Sequence, residues 1–197
     1  MNPIFVIVGI PVLIAGIIAL LYYFLHVRNT EGAGAVERTT RLLRRFAVMR
    51  RYQVLSNVRF TYKGRDYKIE NMLIGYFGIL LVHTLGGRGS YYGQMDGDQW
   101  QRVLEKDKNV FPNPIKQQEE AIMALRGIFA QNKVYNVPVE RIVVLTDTSK
   151  KTLMYISHGG QILMPGKLKG MLNKSKYEND AGVDVARVAQ VITENSK

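Results

Sequence analysis

The side chains best suited to binding an anion are arginines in one segment near the start of the chain. Arg38, Arg41 and Arg45 are spaced three and four residues apart, which places them on one face of a helix. Guanidinium groups pair with phosphate through parallel N–H···O bonds. The spacing predicts a face that binds phosphates of nucleic acid or of lipid. Basic residues that follow a membrane segment also act as a topology signal, and the sequence leaves both interpretations open.

Motifs of the common catalytic sites are absent from the sequence. It contains no phosphate-binding Gly-x-x-x-x-Gly-Lys, no His-Glu-x-x-His, no dinucleotide fingerprint and no Gly-x-Ser-x-Gly. The lack of cysteine excludes disulfides, thiolate metal sites and a cysteine nucleophile. The histidines, His26, His83 and His158, are too scattered to predict a metal site. The glycine-rich segment 86–90 follows a strand pattern instead of opening a helix, and it predicts a hairpin turn.

A second set of residues resembles a known family. In chain order, the set is Lys68–Gly75, Gly78–Leu85, Gly89, Trp100 and Asn113–Gln117. Together these residues resemble the nuclease-related domain family over about Gly32 to Leu172. The resemblance implies a restriction-endonuclease-like fold, whose active members present an Asp on one strand and a Glu-x-Lys on the next.

Matching this pattern to the chain places Glu70 at the Asp position, and His83 and Leu85 at the Glu and Lys positions. Gln117 falls on the Gln of the family's Asn-Pro-x-x-Gln helix start. Phosphodiester cleavage assisted by a metal needs hard oxygen ligands for Mg²⁺ and a cation near the phosphate. Neutral His83 is a poor Mg²⁺ ligand, and Leu85 carries no charge. The resemblance therefore implies a site of Glu70, His83 and Gln117 without hydrolytic activity and without a cofactor.

Two cations could restore activity to such a site. Lys68 lies two residues before Glu70 on the same strand face, and Arg88 follows the Lys position by three residues. Arg88 is also a candidate ligand for nucleic acid or lipid phosphate. An active nuclease with this rearranged site, using Mg²⁺, is one alternative. Glu70 as a solvated carboxylate, His83 as a core histidine and Trp100 as a packing anchor are the purely structural interpretations.

The elements that would position these residues alternate between strand and helix patterns. The predicted strands are Tyr52–Phe60, Tyr67–Ile74, Gly78–Thr84, Tyr91–Gln94, Gln99–Leu104, Arg141–Thr146 and Leu153–Ile156. The predicted helices are Gly34–Met49, Ile115–Ala130, Leu168–Leu172 and Val183–Ile192. This order predicts an α/β (α+β) fold with a mixed sheet flanked by helices. The first three strands are expected to form a meander, in which the turn at residues 75–78 brings Glu70 and His83 together.

The N-terminal segment predicts a membrane anchor. Ile4 to Leu25 is an uncharged apolar run of 22 residues, and about 20 suffice to span the hydrocarbon layer. A cleaved signal peptide would need a shorter apolar run. Basic residues follow the run and none precedes it, so the N-terminus is expected outside and the domain in the cytoplasm. The expected organisation is residues 1–3 outside, a span at 4–25, a linker at 26–35, a nuclease-related domain at 36–172 and a tail with a short helix at 173–197.

The overall charge favours a polyanionic partner. Lys and Arg outnumber Asp and Glu by 27 to 16, a formal charge of +11. We therefore expect an inactive nuclease-related domain, anchored in the cell membrane, that binds nucleic acid or anionic lipid or acts as a scaffold at the inner face. A structural membrane protein with a protein partner is the remaining alternative.

Overall fold

Strands and helices alternate along the chain in the computed structural model, which describes residues 12–23, 32–147, 152–156, 160–164 and 166–197. Helix α1 comprises residues 12–23. The other helices are α2 (Gly32–Val48), α3 (Pro114–Gln131), α4 (Lys167–Leu172) and α5 (Val185–Glu194), with a 3₁₀ turn at Ser175–Tyr177. The strands are β1 (Gln53–Tyr62), β2 (Arg65–Gly75), β3 (Gly78–Leu85), β4 (Ser90–Gly93), β5 (Gln99–Leu104), β6 (Asp107–Pro112), β7 (Val139–Leu145), β8 (Leu153–Tyr155) and β9 (Ile162–Leu163).

The strands form two mixed sheets. The larger sheet has the order β1-β2-β3-β7-β9, and the smaller has the order β6-β5-β4-β8. Strands β1, β2 and β3 pair antiparallel in sequence, which confirms the predicted meander. Strands β7 and β9 then join in parallel. The predicted mixture of sheet and flanking helices is confirmed, although the strands are divided between two sheets.

Helices cover both faces of the larger sheet. On one face, α3 and α5 pack Leu125, Val188 and Ile192 against Ile79 and Leu81 of β3. On the other face, α2 and α4 pack against Leu73 and Leu80; the helix residues there are Leu43, Phe46, Ala47, Leu168, Met171 and Leu172. The segment 173–197, expected to be a tail with a short helix, therefore contributes α5 to the core.

The glycine-rich segment does not form the predicted hairpin turn, because β3 and β4 belong to different sheets. It connects the two sheets and passes close to β5. A Cβ at Gly87 would lie 1.8 Å from Nη1 of Arg102, and one at Gly89 would lie 2.5 Å from the carbonyl oxygen of Val103. Both glycines also have positive φ, +111° and +128°. Close packing against β5, and not a tight turn, accounts for the glycines here.

Strand β6 was not predicted. Its sequence, Asp-Lys-Asn-Val-Phe-Pro, lacks alternation of apolar and polar residues, and five of its six residues are exposed. It pairs only with β5, as an edge strand of the smaller sheet. Edge strands often carry charged residues and proline, which removes the signal that identifies a half-buried strand.

The predicted membrane span overlaps α1. Every residue of α1 is exposed. Over the part of the chain that the structure describes, no helix is both long enough and apolar enough to cross a membrane. Residues 4–11 and 24–25 of the predicted span lie outside the described residues, as do His26 and His158.

Candidate functional site

Glu70 and His83 meet where β2 and β3 separate. The antiparallel pairing places Asn71 opposite Val82, so Glu70 and His83 form the next opposing pair. Oε1 of Glu70 lies 3.4 Å from Nδ1 of His83. The predicted proximity of these two side chains is confirmed.

The separation of the strands leaves part of β3 without a partner strand on the β2 side. The ladder between β2 and β3 ends at the Asn71 pair, whereas β3 continues to pair with β7 as far as Leu85. The backbone N–H of Thr84 donates instead to Oε2 of Glu70, at 2.7 Å. The carboxylate of Glu70 thus replaces a missing backbone acceptor through Oε2, while Oε1 faces His83.

An irregularity in β1 and β2 aims Glu70 at this position. Ile69 and Met72 lie in the same core cluster although they are three residues apart, so the alternation of faces shifts between them. The β1–β2 register skips Asn57, whose φ is +55°. Asparagine tolerates this left-handed conformation better than most residues do. The register is the same on both sides of this point, with Ser56 opposite Asn71 and Val58 opposite Ile69, so the interruption is confined to Asn57 and Glu70.

Gln117 lies close enough to complete the predicted site. It lines a cavity of about 400 Å³ together with Glu70, His83 and Lys68. The remaining lining residues are Arg65, Asp66, Tyr67 and Glu120. The fold therefore brings together Glu70, His83 and Gln117, three of the four positions derived from the resemblance. Glu120, which sequence reasoning missed, lies one helical turn after Gln117 and could have been found from that spacing.

Asn113 fixes the start of α3 and thereby the location of Gln117. Its side-chain oxygen accepts from the backbone N–H of Ile115, at 2.9 Å. Its amide donates to the carbonyl oxygens of Met95 and Gly97, at 2.8 and 2.7 Å. Pro114 occupies the start of the helix, where no N–H is needed. The Asn-Pro pair thus joins α3 to the loop before β5, one turn before Gln117.

The environment of His83 favours the neutral form of its imidazole. Burial lowers the pKa of His83 below its ordinary value of 6.5. Nearby Glu70 opposes this effect because it favours the charged imidazole, whereas Lys68 lowers the pKa further. A neutral imidazole can donate one hydrogen bond and accept one. It provides neither the negative charge nor the hard oxygen that Mg²⁺ prefers.

Leu85 and a cation border Glu70 on its other side. A second cavity, of about 280 Å³, is lined by Glu70, Thr84, Leu85 and Arg102. Leu85, at the family's Lys position, is 7% exposed and packs in a cluster with Tyr91 and Trp100. Arg102 donates to the carbonyl oxygen of Gly86, at 3.2 Å. No sequence pattern pointed to Arg102, which lies in β5 between Gln101 and Val103.

Arg88 and Trp100 occupy places outside the cavities beside Glu70. Arg88 is partly exposed on the connection between β3 and β4. Trp100 is 1% exposed, and its Nε1 donates to the carbonyl oxygen of Gln94, at 2.8 Å. A Cβ at Gly93 would lie 2.4 Å from the indole ring. Trp100 therefore anchors the smaller sheet by packing.

The residues at the three family positions do not fit a Mg²⁺ site. Only Glu70 offers a carboxylate at these three positions, and its Oε2 already accepts from the Thr84 N–H. Asp66 and Glu120 also line the cavity, but within the described ranges no group of three or more His, Asp or Glu side chains could hold a metal ion. His83 and Leu85 offer none of the oxygen ligands that Mg²⁺ prefers.

The predicted anion-binding arginines lie elsewhere on the domain. Arg38, Arg41 and Arg45 are all exposed on α2, and α2 and α3 cover opposite faces of the larger sheet. Arg41 pairs with Glu37, at 2.7 Å. The chain therefore carries two separate polar features, the cavity beside Glu70 and the arginine face of α2.

Comparison with known proteins identifies the family. The family model of the nuclease-related domain matches residues 31–146. No match was found among curated proteins or among solved structures. The matched segment includes β2, β3 and the start of α3, the elements that form the cavity beside Glu70. Because the match covers more than half of the 197 residues, the chain belongs to the nuclease-related domain family.

Proposed function

We propose that this chain is a membrane-anchored binding module with a restriction-endonuclease-like fold that binds phosphate-bearing polyanions and does not cleave them. The observation that carries the proposal is the state of the family's three site positions. Glu70 is held by the Thr84 N–H, the environment of His83 favours its neutral form, and Leu85 is packed in the core. Family membership supports descent from a nuclease.

The chemistry of cleavage supports the loss of activity. A metal-assisted reaction needs an ion that orients water and neutralises the charge developing on phosphate. A single carboxylate beside a neutral imidazole is a weak site for such an ion, and Leu85 supplies no cation. Lys68 lines the cavity beside Glu70, which is the one observation that favours the alternative of a nuclease with a rearranged site.

Exposed apolar residues support the membrane anchor. In α1, the exposed fractions of Leu13, Ile17 and Leu21 are 65%, 50% and 56%. Apolar surface in water costs roughly 25 cal/mol per Å² relative to an apolar environment. Placing the run Ile4–Leu25 in a bilayer removes this cost. The basic residues after it favour a cell-membrane protein with its N-terminus outside and its domain in the cytoplasm.

A cleavage assay on the full chain tests the proposal. The detergent-purified protein is incubated with single-stranded DNA, duplex DNA and RNA, in the presence of Mg²⁺ or Mn²⁺, beside its Glu70→Gln variant as a matched control. We expect no difference between the two proteins, with both at background. Cleavage that disappears in both Glu70→Gln and Lys68→Gln would replace the proposal with the rearranged nuclease.

A further inference from the structure

A groove between α2 and α4 combines cations with an apolar floor. Its volume is about 880 Å³. We call it the arginine groove; its cations are Arg38, Arg41, Arg44, Arg45 and Lys169, and its apolar floor is formed by Leu42, Phe46 and Leu172. None of the described residues that line it is acidic. Arg44 and Lys169 were not singled out from the sequence, and they extend the predicted arginine face across to α4.

Two exposed apolar side chains border the arginine groove at the end of α2. Val48 is 81% exposed and Met49 is 75% exposed, and both line the groove. Nearby acidic residues offset only part of the charge of the groove. Glu37 is paired with Arg41, and Glu178 is paired with Arg50, which lies outside the groove lining. The groove therefore presents guanidinium groups beside bare hydrocarbon.

Guanidinium groups beside exposed apolar side chains favour one of the two phosphate-bearing partners, nucleic acid and phospholipid, over the other. Nucleic acid offers phosphates, sugars and bases, and sites that bind it use cations with polar or aromatic side chains. A phospholipid surface offers phosphate next to hydrocarbon. Exposed Val48 and Met49 gain nothing from a phosphodiester backbone, but they can enter the boundary between headgroups and acyl chains. The mixture of charges and aliphatic residues matches the lipid.

Chain length adds a second argument, which rests on the proposed membrane anchor. Nine residue steps separate residue 23, the last described residue of α1, from Gly32 in α2. Even fully extended, nine steps cover at most about 32 Å. If α1 belongs to a bilayer anchor, α2 cannot be far from the headgroups.

We propose that the arginine groove docks the domain onto a bilayer containing anionic phospholipids. The guanidinium groups contact lipid phosphates, while Val48 and Met49 enter the upper acyl layer. The α3 side, on the opposite face of the larger sheet, then faces away from the membrane and leaves the cavity beside Glu70 open to the solvent.

The absence of cysteine from the chain permits a direct test in the full-length protein. A single cysteine is introduced by Met49→Cys and labelled with an environment-sensitive fluorophore. The matched control is Met123→Cys on α3, where Met123 is 63% exposed. Both proteins are reconstituted in vesicles of phosphatidylcholine, with and without phosphatidylglycerol. Emission and quenching by acrylamide report whether the label is in water or in lipid.

We expect the emission of the label at position 49 to shift to the blue, and the label to resist quenching by acrylamide, in the anionic vesicles only. The label at position 123 should remain in water with both kinds of vesicle. Each arginine near an anionic surface contributes about 1 kcal/mol, or about fivefold in the docking equilibrium. Arg44→Glu and Arg45→Glu in the Met49→Cys protein should therefore reverse the shift. Arg126→Glu, an exposed change on α3, should leave it intact.

Three results would overturn the docking proposal. The first is a label at position 49 that stays in water on anionic vesicles. The second is an Arg126→Glu variant that reverses the emission shift as fully as Arg44→Glu and Arg45→Glu do. The third is protection of the position-49 label from acrylamide by DNA but not by lipid. Failure of the anchor itself has a separate signature, because the full chain would then not co-float with neutral vesicles. The docking proposal and the membrane part of the proposed function can therefore fail independently.

Discussion

At the level of single residues, Glu70 is the centre of the candidate site because a backbone N–H and two basic side chains lie around its carboxylate. The Thr84 N–H donates to it at 2.7 Å, His83 lies 3.4 Å away, and Lys68 lines the same cavity. Glu70 is thus a structural acceptor for β3 as well as the family's acidic position. This double role accounts for a retained carboxylate in a site whose partners are a histidine and a leucine.

The charges of Glu70 and Lys68 should tune the pKa of His83 in opposite directions. Burial lowers this pKa, Glu70 raises it and Lys68 lowers it. Glu70→Gln removes a charge that favours the imidazolium, so we expect a lower pKa. Lys68→Gln removes a repelling charge, so we expect a higher pKa. An NMR titration of the histidine ring protons measures both changes, and His83→Gln identifies the His83 signal.

The pair of variants also separates charge from burial. Because both replacements keep a polar side chain of similar size, a change in solvation alone would move the pKa of His83 in the same direction in both. Shifts of the same sign would therefore contradict the proposed arrangement of charges. Opposite shifts would show that the charges of Glu70 and Lys68 both act on the imidazole in solution.

At the level of elements, the junction between β6 and α3 depends on Asn113. This side chain is fully buried; it caps α3 and also donates to the carbonyl oxygens of Met95 and Gly97. Loss of an N-cap costs about 0.5–2 kcal/mol, and a buried acceptor left without a donor costs about 1–3 kcal/mol. We expect Asn113→Ala to lower the free energy of unfolding by roughly 2–4 kcal/mol, measured by urea denaturation.

Asp184→Ala is the matched control for this effect. Asp184 caps α5 through the Arg187 N–H, at 2.9 Å, but its side chain is exposed, in contrast to the buried Asn113. Its loss should cost only about 1 kcal/mol. Equal costs for the two variants would mean that the contacts of Asn113 with the loop add nothing to the cap.

The elements around the site were largely predictable from the sequence, since their signals are local. Strand β3 is an apolar run and β2 ends in one, both strands are bounded by glycines, and α3 begins at an Asn-Pro pair, so local residues mark where each element starts or ends. Their order along the chain was enough to predict that Glu70 and His83 meet. Gln117 lines the same cavity because the Asn-Pro pair fixes where α3 begins, and Gln117 lies in the first turn of that helix.

What the sequence could not predict depends on contacts between distant segments. The glycines at 87 and 89 accommodate β5, which no pattern within residues 86–90 reveals. The left-handed Asn57 and the shift between Ile69 and Met72 arise from the pairing of two strands. Arg102 approaches Glu70 only because the smaller sheet packs beside β3. Such features follow from tertiary structure, and single-sequence patterns do not encode them.

At the level of the whole molecule, the described core is built from residues after the proposed anchor. The apolar residues of the three core clusters begin at Leu42, whereas every residue of α1 is exposed. The last helix is part of this core, with Val188, Val191 and Ile192 all at or below 2% exposure. The N-terminal and C-terminal segments should therefore differ sharply in their effect on folding.

We expect deletion of residues 1–28 to release a soluble domain that unfolds cooperatively, because the deletion removes no residue of the core clusters. Deletion of residues 183–197 is the contrasting variant. It removes Val188, Val191 and Ile192, whose burial contributes about 1.5–3 kcal/mol each, against a total stability of roughly 5–15 kcal/mol for a domain. The second protein should lack a cooperative transition in circular dichroism. A first variant that stays with washed membranes as an integral component, or that fails to fold, would show that residues 1–28 do more than anchor the chain.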